Sequence, residues 1–135
     1  MTALYSEILL DHFHNPRNYG GLPSPDVVYE EHNPLCGDRI RIELKISDDR
    51  IIATGFVGDG CAISIAAASI LTELVLGAYI DQGEMISGVE AQDLASLLLS
   101  SLKSEIKPSR MSCAMLPLEA LRSCIKIYKL PQTET

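Results

Sequence analysis

The stretch that decides the fold is Arg39-Ile40-Arg41-Ile42-Glu43-Leu44-Lys45-Ile46. Polar and apolar residues alternate through it without a break, the period of a strand with one buried face. Ser47-Asp48-Asp49 follows as a turn, and Ile51 to Val57 returns as a neighbouring strand. Val27 to His32, upstream, completes an antiparallel meander. Past Gly58-Asp59-Gly60 the period changes. Cys61 to Gly77 is apolar nearly all round, and its small residues Ala62, Ala66, Ala67 and Ala68 suit a buried helix packed closely on a sheet.

The flanks read as helices. Residues 3–14 place Leu4, Ile8, Leu9 and Phe13 at helical spacing and stop at Asn15-Pro16. A short helix is expected around Asp81–Ile86, a longer one over Ala91 to Leu102, a break at Lys107-Pro108-Ser109, and a last helix over Cys113 to Tyr128. Pro117 lies in the second turn of that helix and removes a backbone donor, so its first turn is expected to be irregular. The sum is an α+β fold: a three-stranded antiparallel sheet with helices packed on one face. The chain has 135 residues and no linker-like tract, so residues 1–135 are expected to form a single domain.

Composition excludes several functions. Hydrophobic residues make up 47% and charged residues 21%, enough apolar material for a core. The most apolar stretch is interrupted by Ser64, Ser69, Thr72 and Glu73, which argues against a membrane span. A net charge of −7 with no basic cluster argues against nucleic-acid binding, because nothing neutralises phosphates. The opening residues carry no secretory signature, so a cytoplasmic location is expected. In that compartment Cys36, Cys61, Cys113 and Cys124 should be thiols.

Three of the four cysteines fall at junctions. Cys36 lies in the loop Asn33-Pro34-Leu35-Cys36-Gly37-Asp38, Cys61 opens the buried helix, and Cys113 opens the last one. Helix starts favour thiolate, the form that binds metal or attacks sulfur. Asp38, two residues after Cys36, is an oxygen donor for the same centre. Buried cysteines are also commonly inert packing residues, and no two of these form a C-x-x-C pair. Spacing alone therefore fits either inert thiols or a metal or sulfur site. Cys124 sits mid-helix and is read as packing.

The motifs together resemble the iron–sulfur cluster scaffold family of IscU, SufU and the N-terminal domain of NifU. The resemblance runs over nearly the whole chain. It rests on Tyr5 to Phe13 with Asn15-Pro16-Arg17-Asn18-Tyr19-Gly20, on Asn33 to Asp38, on Gly58-Asp59-Gly60-Cys61-Ala62-Ile63-Ser64, and on Arg110-Met111-Ser112-Cys113-Ala114-Met115-Leu116. It implies that Cys36, Cys61 and Cys113 accept sulfur and, with Asp38, hold a transient [2Fe-2S] cluster. It implies a non-enzymatic scaffold that takes persulfide sulfur from a cysteine desulfurase and delivers clusters to apo-proteins or carriers. The expected assembly is a monomer or weak homo-oligomer.

Two departures set the chain nearer SufU. IscU-like members have histidine where Ser112 stands here, and they carry a Leu-Pro-Pro-Val-Lys chaperone motif where this chain has Glu105 to Arg110. The resemblance therefore also implies an alternative: a Zn2+ ion resting on Cys36, Asp38, Cys61 and Cys113, in a sulfur acceptor that stimulates its desulfurase. Four such ligands suit tetrahedral zinc.

The remaining candidates read as structural or solvated. His12 is expected to bond near Asn18, His14 and His32 to be solvated, Asp59 to be a turn residue rather than a carboxylate of the site, Arg17 a surface charge with a desulfurase contact as the alternative, and Leu97-Leu98-Leu99 part of the core rather than a partner groove.

Overall fold

The computed structural model describes residues 5–34, 37–80, 86 and 91–129. Strands β1 (Val27–His32), β2 (Arg39–Ser47) and β3 (Arg50–Asp59) pair antiparallel in the order β1-β2-β3. The register places Val27 opposite Leu44 and Ile42 opposite Phe56. The turn between β2 and β3 is a two-residue hairpin. Asp48 and Asp49 both take left-handed backbone, at φ 52° and 62°, as a type I′ turn requires.

Helix α1 (Glu7–His14) starts later than the expected residue 3. Ser6 sets the boundary, because its hydroxyl accepts the Leu9 amide at 3.0 Å. The same hydroxyl donates to the Leu102 carbonyl at 2.6 Å, tying the N-terminal segment to the end of α3 (Ala91–Leu102). The helix expected around Asp81–Ile86 lies almost wholly outside the described residues.

Helices α2 (Ala62–Val75) and α4 (Met111–Lys129) cover one face of the sheet. The inward residues of β2, Ile40, Ile42 and Leu44, are fully buried beneath them, as is Phe56 of β3. Ala66, Ala67 and Ala68 of α2 have no exposed surface, consistent with close approach. On the opposite face the alternation is broken at Glu43, which is only 4% exposed. The loop after α1 crosses that face. The Leu22 amide donates to Glu43 Oε1 at 2.7 Å, and Arg41 pairs with Oε2 at 2.9 Å. An alternating strand pattern cannot show that a distant loop will cover a charged position.

The expected irregularity around Cys113 is not found. A 3₁₀ turn over Pro108–Arg110 leads directly into α4, which runs helically through Cys113 and Pro117. Pro117 cannot donate to the Cys113 carbonyl four residues back. The Ser64 hydroxyl lies 3.3 Å from that carbonyl, though its single proton has a nearer acceptor in Asp38 Oδ2 at 2.7 Å.

His12 contacts α2 rather than Asn18. Its Nδ1 lies 2.7 Å from Ser69 Oγ, and that oxygen also accepts the Arg17 amide at 2.9 Å. Burial, reinforced by the Arg17 charge, lowers the His12 pKa below its ordinary 6.5. The unfolded chain therefore binds more protons around and below that value, so stability is full above it and is lost as pH falls. Chemical denaturation midpoints should drop from about pH 7 to about pH 5 in the native protein, and less steeply in His12→Gln.

Candidate metal centre

Three separated segments converge at one end of the sheet. The first is the loop before β2. Its stem is closed by the Asn33 amide donating to the Asp38 carbonyl and by the Gly37 amide donating to the Asn33 carbonyl, each at 2.8 Å. Gly37 sits at φ 78°, a conformation that disfavours any side chain. The loop is pinned to α4 by Asn33 Nδ2 donating to Ser112 Oγ at 3.0 Å. Asp38 emerges from it only 7% exposed.

The second segment is the β3–α2 junction. Asp59, expected as a turn residue, is instead the last residue of β3, opposite Arg39 in the register and paired with it at 2.9 Å. Gly60 follows at a point of close approach. A Cβ there would stand 3.0 Å from Ser64 Cβ and 3.1 Å from Asp38 Cγ. Cys61 occupies the N-cap of α2, half-buried, with extended backbone at φ −74° and ψ 173°. Its amide points toward Asp38 Oδ2 at 3.5 Å. Gly60→Ala should push the Asp38 and Ser64 side chains aside. A fall in zinc affinity of about tenfold, read by chelator competition, with β3 and α2 intact by circular dichroism, is the expected result.

The third segment is the first turn of α4, where Cys113 is 3% exposed. One ligand atom each from Asp38, Cys61 and Cys113 lies within 4.8 Å of the others. Donors around a tetrahedral zinc with ~2.3 Å sulfur and ~2.1 Å oxygen bonds stand about 3.6–3.8 Å apart, so modest side-chain rotation closes the shell. Two thiols and a carboxylate form a mixed soft and hard set that fits zinc or iron–sulfur chemistry. Cys36 lies outside the described residues, so the structure brings together three of the four residues singled out from sequence.

The surroundings favour negative charge. The N-termini of α2 and α4 both face the site, and helix N-termini attract anions. Arg110, exposed in the 3₁₀ turn, holds its proton more tightly than usual. The Cys61 sulfur is the largest cause, followed by Tyr5 and Cys113, with a side-chain hydrogen bond to Cys61 adding to them. A cation beside two thiols complements thiolate. Arg110 also lines a small cavity with Tyr5, Ile63, Glu105 and Lys107.

Cys124 stands apart. It is fully buried under the sheet, its Sγ is 3.4 Å from the Ile42 carbonyl, and burial pushes its pKa up to about 12. In native, metal-free protein, an alkylating reagent should modify Cys61 readily and leave Cys124 intact until denaturant is added; mass mapping reads both. The other sequence readings stand close to expectation. His14 is exposed, and the exposed His32 pairs with Glu30 at 2.9 Å. Arg17 pairs with Asp11 on the surface. Leu98 is fully buried, although Leu97 is 45% exposed.

Ser64 was not singled out as a site residue. It is 0% exposed, and its hydroxyl lies 2.7 Å from Asp38 Oδ2 and 3.7 Å from Cys61 Sγ. A signal was present in the chain. Three residues after a junction cysteine, a serine shares that cysteine's helix face, with Ala62, Ile63 and Ile65 as its neighbours.

Among the described residues no helix is long and apolar enough to cross a membrane. A profile of the NifU-like N terminal domain family matches residues 4–135. The zinc-dependent sulfurtransferase SufU of Bacillus subtilis is 36% identical over 131 residues, covering 90% of this chain and 88% of that protein. The iron–sulfur cluster assembly scaffold protein IscU of Escherichia coli K12 is 33% identical over 129 residues, covering 93% of this chain and 94% of that one. A NifU-like N-terminal structure from Brucella abortus superposes with a TM-score of 0.72 at 22% identity, covering 95% and 96% of the two chains. That likeness concerns the fold.

Proposed function

We propose that this chain, which belongs to the NifU-like N-terminal domain family, is an iron–sulfur cluster assembly scaffold. It takes sulfur from a cysteine desulfurase on its thiols, builds a [2Fe-2S] cluster on Cys36, Asp38, Cys61 and Cys113, and passes the cluster to apo-proteins or carriers in the cytoplasm. The observation that carries this reading is the meeting of Asp38, Cys61 and Cys113 within 4.8 Å from three distant segments.

The first chemical step is sulfur transfer. A site thiolate attacks the terminal sulfur of the desulfurase persulfide. A new S–S bond forms on this chain, the old one breaks, and the desulfurase cysteine leaves as thiolate. Cys61 suits this step because it is the more exposed of the two site thiols among the described residues, lies at a helix N-cap and stands beside Arg110. Arg110 would also steady the negative charge of the incoming persulfide. Conversion of that sulfur to sulfide then requires ferrous iron and an electron donor as co-substrates. Asp38 offers a harder oxygen among soft sulfurs, a weaker hold on a cluster than a fourth cysteine would give. That arrangement suits a product that must leave.

A second reading has specific support. Ser112 stands where IscU-like chains have histidine; its side chain carries no nitrogen donor, and its hydroxyl accepts from Asn33 Nδ2. The donor set is then three sulfurs and one oxygen, which accommodates a resting Zn2+. Bound there, zinc would hold the thiols as thiolates and keep them exchangeable for sulfur acceptance, a transferase-like role. Metal and labile-sulfide analysis of anaerobically purified protein separates the two. Iron and sulfide in equal amounts support the scaffold, about one zinc per chain supports the sulfur acceptor, and absence of both after reconstitution overturns the site.

A further inference from the structure

We infer that Ser64 is a positioning residue for Asp38: its buried hydroxyl orients the carboxylate as a metal ligand before any metal arrives. The inference rests on the metal-site reading above and assigns a part of it to a residue that binds no metal itself.

Three observations carry it. Ser64 is 0% exposed, so its hydroxyl must find partners inside the protein. The hydroxyl lies 2.7 Å from Asp38 Oδ2, against 3.3 Å from the Cys113 carbonyl and 3.7 Å from Cys61 Sγ. It has one proton to give, and the charged carboxylate is both the nearest and the strongest acceptor. Finally, the backbone has been cleared for this contact, since a Cβ at Gly60 would press on Ser64 Cβ at 3.0 Å and on Asp38 Cγ at 3.1 Å.

The placement explains why a polar residue stands among the apolar residues Ala62, Ile63 and Ile65 in the first turn of α2. An aspartate has few bonds to rotate, yet a carboxylate beside the Cys61 and Cys113 thiols can still turn away from a metal. Ser64 prevents that from the protein side. It stands on the rigid helix that also carries Cys61, so the spacing of one sulfur and one oxygen donor is set by a single element. Groups that orient metal ligands in this way commonly change metal affinity by about 10- to 100-fold.

The test is a double-mutant cycle on zinc affinity, measured by competition with a chromophoric chelator. Wild type, Ser64→Ala, Asp38→Ala and the double variant are compared, and thermal melting of the apo-proteins checks folding. Ser64→Ala should weaken zinc binding about tenfold or more in the native background. In the Asp38→Ala background the same change should alter affinity less than about threefold, because the group it positions is gone. A Ser64→Ala loss of equal size in both backgrounds would mean a general structural role and overturn the inference. So would no loss in either. If Asp38→Ala itself leaves zinc affinity unchanged, the carboxylate is no ligand, and both the site reading and this inference fail. An Asp38 effect without a Ser64 effect rejects the inference alone.

Discussion

Cys61→Ala should lose about 100-fold or more in zinc affinity and stop stimulating a desulfurase. The size follows from the ligand count. Complete four-ligand structural zinc sites are worth roughly 10–16 kcal/mol in apparent binding energy, so one ligand in four represents about 3 kcal/mol, or roughly 100-fold. The sulfur-acceptor loss should be near complete, because Cys61 is the half-buried thiol at a helix N-cap beside Arg110, whereas Cys113 is buried. Chelator competition reads the first effect and alanine release by a partner desulfurase reads the second. Full stimulation by Cys61→Ala would reject Cys61 as the acceptor. Cys124→Ala is the matched control. It removes a thiol that packs against the sheet and should leave zinc affinity unchanged.

Phe56→Ala should produce the largest loss of stability. Phe56 is fully buried, lies opposite Ile42 in the sheet register, and meets Tyr19 edge-to-face with ring centroids 5.1 Å apart. Its backbone is held on the other side too, by the Asn18 carbonyl at 3.0 Å and the Gly20 amide at 2.8 Å. The main-chain bonds hold the neighbouring backbone in place, so the surroundings cannot collapse far into the space left. A buried Phe→Ala change costs about 3–5 kcal/mol, out of a usual total of about 5–15 kcal/mol. The apo-protein should melt about 10–20 °C lower. Added zinc should recover part of the difference, because a ligand that binds only the folded state stabilises it by mass action. A shift of only about 2 °C would show that the core repacks around the gap.

Much of the sheet was legible because its physics is local. The alternation of Arg39 to Ile46 and the Asp48-Asp49 turn needed only near neighbours, and β2 and β3 form where that pattern placed them. The helix beginning after Cys61 was equally plain from its apolar run. The start of α1 was less so, because it depends on the Ser6 cap, whose hydroxyl also reaches Leu102 across the fold. Glu43 occupies a polar position of the alternating strand and is buried, since a loop more than twenty residues upstream supplies one of its partners. Pro117 looked like a source of irregularity in the first turn of the last helix. The helix nevertheless runs through it, and a serine from another helix lies beside the carbonyl the proline leaves.

The candidate centre divides the same way. Residue type, glycine neighbours and helix-start positions are properties of the chain; alone they fitted inert thiols as well as a site, and the family resemblance singled out Cys36, Asp38, Cys61 and Cys113 without coordinates. The meeting of Asp38, Cys61 and Cys113 within 4.8 Å is a property of packing, because it requires the β2–β3 register, the closed loop at Asn33 to Asp38, and α4 laid beside α2. The hydroxyl of Ser64 beneath Asp38 belongs wholly to that second level. Local order along a polypeptide can announce which atoms have the chemistry to bind a metal. Only long-range packing, driven by burial of the apolar faces, sets the distances between them and the group that holds one of them in place.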